Sequence, residues 1–373
     1  MKRLPFFTLS GVSAGVLTVL LLGAGILLGS RNLRHYDPAL LIYTFGALFA
    51  AFASAYRYTV WLQRPPTRMY WRRAWQLCCG RQARLRYGLT LLGALARNFV
   101  AQRFIRQRGR WRWVGHVCMS WGTILAAAVT FPLVFGWMHF ASRVDDPQVY
   151  QLFMFGRQLL SFHLQSPLRF LLFNLLNIAA VLVIIGVGMT LHRRLNAPGS
   201  VAAQQFGTDL VPLLLLLAVA ATGLMLTFSM HALHGAGYGV ISLVHAITVI
   251  ATLLYLPFGK LFHILQRPLH LGVSLYKEAN AAAPQAHCQV CGEAYAGALH
   301  VADLQTVLAE VDLDWQLSTP DQHYMHMCPR CRRRQVGIWQ GRALAPAVLR
   351  SPGEEREKAV GQAGSAKRMQ SLS

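Results

Sequence analysis

Acidic residues are scarce in this 373-residue chain: 14 Asp and Glu stand against 36 Lys and Arg, for a formal net charge of +22. Charged residues of either sign make up only 13%, while 54% of the chain is hydrophobic. So few carboxylates leave no paired acids for general acid–base chemistry, and no nucleophile constellation or phosphate-binding loop is present. A basic balance can indicate nucleic acid, but here short arginine-rich segments alternate with long apolar runs, and no nucleic-acid partner is expected. No internal repeat occurs either, which argues against the repeat-built transporters.

What the chain does have is apolar runs of membrane-spanning length. About 20 mostly apolar residues are needed to cross the hydrocarbon core as a helix. Six runs qualify, at roughly 8–30, 39–62, 113–137, 168–191, 209–231 and 239–264. The first follows MKR, as a signal peptide would, but stays apolar to Leu28 with no small-x-small site after it, so it reads as a retained helix. The fold class expected is an all-α integral membrane bundle of six helices.

Charge orients the bundle. Between Arg64 and Arg112 there are thirteen arginines and no Asp or Glu. The positive-inside tendency makes this basic loop, 64–112, cytoplasmic. Asp145 and Asp146 balance Arg143 and Arg157 in the segment 138–167, which can face outward. His192-Arg193-Arg194 then falls inside, the HALHGAGYG turn outside, and the tail after Lys260 inside. Both termini are expected in the cytoplasm, with the arginines facing lipid headgroups and a soluble partner.

Histidines carry the chemistry. In SLVHAITVIATLLYLPFGKLFHILQRP, His245 and His263 are eighteen residues apart. On a regular helix that is five whole turns, one face, and roughly 27 Å along the axis. Polar groups inside a membrane normally face the bundle interior and act there. Bis-histidine ligation of b haems at two depths suits such a pair, because neutral imidazole binds iron well. His116, in RWRWVGHVCMSWG at the start of the third helix, is at the depth of His263 and is its expected co-ligand for an inner haem.

These stretches resemble the gamma subunit of respiratory nitrate reductase, a membrane cytochrome b with five core helices. The family's last helix carries a histidine, seventeen intervening residues and a second histidine in a PFxxLxHIxxxP context, read here as HAITVIATLLYLPFGKLFHILQRP. TLHRRLNAPGSVAAQQFGTDLVPLLL, SAYRYTVW and GHVCMSW are similar to further family segments, so the resemblance covers roughly 39–270. It implies an extra helix in 1–38, a cytochrome domain in 39–270, an inner haem b on His116 and His263, and an outer haem at His245. It also implies a quinone substrate, with a quinol site near the outer haem; His163, Arg157 and Arg169 are the groups placed to serve it. The family's second-helix histidine ten residues after the first is absent, and Ala126 stands there. A replacement ligand would be His231, His234, His139 or Met225, with His231 preferred; otherwise His245 packs or contacts a quinone. One or two haems are therefore expected.

Beyond Lys277 the composition changes. The segment 271–287 reads as a linker, 288–345 as a small cytoplasmic domain, and 346–373 as a disordered tail. HCQVCGEAY and MHMCPRCRRR place Cys288, Cys291, Cys328 and Cys331 in two CxxC pairs, a strong four-thiolate metal signal. The knuckles resemble those of rubredoxin and of zinc ribbons, so Zn²⁺ or a single iron is expected. VADLQTVLAEVDLDW between them reads as an amphipathic helix. Cys78, Cys79 and Cys118 are assigned no chemistry. The whole reads as a haem-bearing subunit in the cytoplasmic (inner) membrane of a prokaryote, exchanging electrons between the quinone pool and a cytoplasmic iron–sulfur or molybdenum-type oxidoreductase. The alternatives are a membrane anchor, or a proton or solute transporter using the intramembrane histidines.

Overall fold

The computed structural model describes residues 4–79, 92–93, 95–196, 204–313, 316 and 323–349. The chain divides into two units, Met1–Leu275 and Tyr276–Ser373.

The first unit is a bundle of six helices long and apolar enough to span a membrane. They are α1 (Leu4–Gly29), α2 (Leu41–Leu62), α4 (Arg110–Val134), α5 (Pro167–Asn196), α6 (Val211–Ala232) and α7 (Tyr238–Tyr255). The surface amphipathic helix α3 (Pro65–Cys79) follows α2. Neighbours pair in the order α1–α2–α7–α6–α5–α4. Lipid tails are as apolar as leucine, so membrane helices associate through close packing of small residues. The α4–α5 contact is built this way. A Cβ on Gly122 would sit 2.7 Å from the Ala179 carbonyl, and one on Gly186 2.5 Å from the Gly115 carbonyl and the Met119 amide.

Two features depart from regular helix. The segment expected as an outward loop, 138–167, forms an antiparallel sheet in the order β1–β2–β3: Met138–Ser142, Val149–Met154 and Arg157–His163. Phe155 (φ 52) and Gly156 (φ 71) make the two-residue turn between β2 and β3, and positive φ at both turn positions matches the twist of the flanking strands. Phe140, Tyr150 and Phe162 of the sheet cluster on Phe173 of α5. Trp137 Nε1 donates to Gly25 O (2.9 Å) and Arg31 to Gly156 O (2.8 Å), tying the sheet to the end of α1.

The second departure is the end of α7. A continuous helix through His245 and His263 is not formed. Helix α7 stops at Tyr255, Pro257 follows, and α8 (His263–Ala281) begins at His263 itself. Proline lacks an N–H and clashes with the preceding turn, so the helix breaks there. The side chain of Arg57 on α2 donates to the Pro257 carbonyl and lies over the Phe262 ring at 4.3 Å, satisfying the backbone that the break frees.

Because α8 runs to Ala281, most of 271–287 is helix rather than a flexible linker; Lys277, Glu278 and the alanines are good helix formers. In the second unit a hairpin, β4 (Gln285–His287) with β5 (Ala294–Gly297), precedes α9 (Ala298–Glu310), which is the expected amphipathic helix. The last helix, α10 (Pro329–Leu349), starts inside the second CxxC pair. It extends past the expected start of the tail at 346, and 350–373 lies outside the described residues.

Candidate functional site

At the arginine-rich end of the bundle, α4, α5, α6 and the start of α8 enclose a cavity of about 1120 Å³. That is somewhat above the range of about 300–1,000 Å³ typical of cofactor and ligand pockets. His116 and His263 both line it, with Met119, Leu213 and Leu216 as apolar walls. A smaller space of about 130 Å³ adjoins the same two histidines.

Each ring is held by its Nδ1. His116 Nδ1 lies 2.6 Å from Gln102 Oε1, and His263 Nδ1 lies 2.5 Å from the Lys260 carbonyl. Both acceptors are oxygens, so each Nδ1 carries the proton and each Nε2 keeps its lone pair. Neither Nε2 has a hydrogen-bond partner among the described residues. Metal-ligating histidines show this arrangement, with one nitrogen anchored to an oxygen and the other presented to the metal. The break after Tyr255 aims His263 inward, because α8 starts afresh at that residue.

The rim is cationic. Arg108, Arg112, Arg193, Arg194, Lys260 and Arg267 line the cavity with a single acid, Asp209, among the described lining residues. Asp209 is buried, pairs with Arg194 at 3.4 Å and with Lys260, and accepts from the Gln205 amide at 2.9 Å. One carboxylate cannot balance six cations, so the mouth attracts further anionic groups. The two imidazoles would hold a metal ion here, and the cationic lining would pair with anionic groups of a cofactor.

The other residues singled out in the sequence are placed elsewhere. His245 Nδ1 is 2.9 Å from the Thr222 hydroxyl, whose own proton goes to the Ala218 carbonyl at 2.6 Å. His231 is exposed, is bonded to its own helix at Thr227 O (3.0 Å), and is nine residues beyond Thr222. Nine residues of helix span about 13 Å, too far to share an iron with His245. Met225 is half exposed on the outside of α6. His139 is on β1, beyond the end of α4, stacked between His35 (4.1 Å) and Phe153 (4.9 Å). Arg157, His163 and Arg169 are in the sheet and at the start of α5, about 36 Å of helix from Arg193 and the cavity. So His116 and His263 meet at one cavity, whereas His245 is bonded to Thr222 and both His231 and His139 lie apart from it.

In the second unit the four cysteines converge, with their Sγ atoms all within 4.8 Å of one another. Cys291 and Cys328 Sγ are 3.7 Å apart, and the Cys328 amide points at Cys288 Sγ (3.2 Å). This is the spacing of a tetrahedral thiolate site that could hold zinc or iron. Gly292 (φ 74) makes the left-handed turn of the first knuckle. The second knuckle has Arg332 at that place and needs no such turn, because the chain enters α10 directly. Burial opposes charge on Cys288, but the amides of Cys328, Cys291 and Val290 outweigh it and hold the thiol down to about 6. Cys331 is pushed up to about 12 by its hydrogen bond with Cys328 and by burial. A cation at their centre could hold all four as thiolates.

Sequence reasoning missed Gln102. It sits on an arginine-rich loop with no motif around it, and only its contact with His116 identifies it. Comparison with family models, curated proteins and solved structures returns no match.

Proposed function

We propose that the protein is a membrane cytochrome b with one haem at the arginine-rich end. The reading puts that end in the cytoplasm of a prokaryotic cell, with the haem serving electron exchange between membrane quinone and a soluble iron–sulfur or molybdenum-type partner. The observation that carries it is the pair of histidines on one cavity, each with Nδ1 anchored and Nε2 free. Haem b bound there supplies one-electron chemistry at its iron. His116 and His263 would hold the iron, the arginine rim would pair the propionates, and Leu213 and Leu216 would keep water away. The resemblance to the nitrate reductase gamma subunit, carried by the last-helix histidines and their PFxxLxHI context, supports the same site and the quinone substrate. His245 is then a packing residue hydrogen-bonded to Thr222.

The four-cysteine unit is read as a zinc-ribbon-like docking module; with iron bound it would be a relay. The test is a visible spectrum of the purified protein after addition of a short-chain quinol. Growth of sharp b-type bands supports the reading. A protein with haem that no quinol reduces removes the quinone pool from it.

A further inference from the structure

Gln102 has a backbone of φ 48, ψ 41, the left-handed region, and its side chain is buried. A residue other than glycine rarely adopts that conformation, so the surroundings must hold it. They do so from α4. Trp113 Nε1 donates to Ala101 O at 2.7 Å and Trp121 Nε1 to Val100 O at 3.2 Å. Gln102 Nε2 donates to Ser120 Oγ at 2.6 Å, and that hydroxyl passes its own proton to Val117 O. Trp113, His116 and Ser120 share one face of α4 at helical spacing. With Nε2 on Ser120 Oγ, Oε1 faces His116 Nδ1. The amide thereby fixes both the tautomer and the plane of the ring.

We propose that Gln102 is a positioning residue that orients His116 and sets its strength as an iron ligand, an inference that rests on the haem reading above. The two ligands are not equivalent. His263 is held by a backbone carbonyl, which substitution leaves in place, whereas His116 is held by a side chain. The potential of the haem is therefore tunable at residue 102. An acceptor stronger than an amide gives the ring more imidazolate character and favours ferric iron. Removing the acceptor does the reverse.

The test uses the full-length, haem-loaded protein with Gln102→Glu and Gln102→Leu, read by redox titration and by the ferric electron paramagnetic resonance spectrum. The Glu variant is expected to lower the reduction potential. The Leu variant should raise it, shift the g-values, and weaken haem retention by about 10–100-fold. Haem lost from Leu but kept by Glu also supports the role. Unchanged potential and g-values in both variants, or haem lost equally from both, overturn it. A wild-type protein without haem refutes the underlying reading instead, and that outcome is visible before any variant is made.

Discussion

Gly186→Ala tests the packing that carries His116. The new methyl carbon would sit 2.5 Å from the Gly115 carbonyl oxygen and the Met119 amide nitrogen, and 2.8 Å from Met119 Cβ. Ordinary contact begins near 3.4 Å, so α4 and α5 must part by roughly 0.9 Å. Two of the three obstacles are backbone atoms and cannot rotate away. Overpacking of this kind costs about 1–3 kcal/mol, and the upper half of that range is expected. Gly188→Ala is the control. A Cβ there meets nothing within 4 Å, and removing a helical glycine gains about 1 kcal/mol. Unfolding in mixed micelles, followed by tryptophan fluorescence, should move in opposite directions for the two variants. Gly186→Ala should also bind less haem, because Met119 and His116 shift with α4. If the two variants are equally stable, the close α4–α5 contact is not what holds this face together.

Three further outcomes follow. Elemental analysis should find one zinc or one non-haem iron per chain, lost from Cys288→Ser and Cys328→Ser; a wild-type protein with neither metal would sink the four-thiolate assignment. Burial, with His35 and Arg31 nearby, holds the pKa of His139 below the usual 6.5. The folded state then binds fewer protons than the unfolded one, so stability falls as pH drops below about 6.5. Protection factors of the β1 and β2 amides, with exchange corrected for its intrinsic pH dependence, should fall between pH 7.5 and 5.5, and His139→Phe should abolish that difference; an unchanged pH response in the variant refutes the cause. Arg57→Leu should cost about 1–3 kcal/mol by leaving the Pro257 carbonyl unpaired at the break; equal stability would mean another donor takes over.

The parts of the fold legible in the sequence were those set by a strong periodic or spacing rule. Six apolar runs of spanning length correspond to six helices, since length and composition alone decide that question. Two CxxC pairs correspond to four converging sulfurs. His116 and His263 line one cavity. The three-stranded sheet was not legible. Its strands are short, their alternation is blurred by aromatics on both faces, and the turn at Phe155-Gly156 has only one glycine to announce it. The break after Tyr255 was not legible: Pro257 marks it, but whether a membrane proline bends or stops a helix depends on a partner for the freed carbonyl. That partner, Arg57, is 200 residues away. His231 was preferred beside His245 because a short turn joins their helices. Adjacency does not set depth, and the Thr222 contact places His245 about two and a half turns from His231.

The central claim is one haem between His116 and His263. Its most direct measurement is the haem-to-protein ratio of the purified chain by pyridine haemochrome, for the wild type and three single variants. One haem per chain is expected in the wild type and in His245→Ala, and close to none in His116→Ala and His263→Ala with membrane insertion retained. A wild-type ratio of zero or two, or full haem content in either the His116 or the His263 variant, would contradict it.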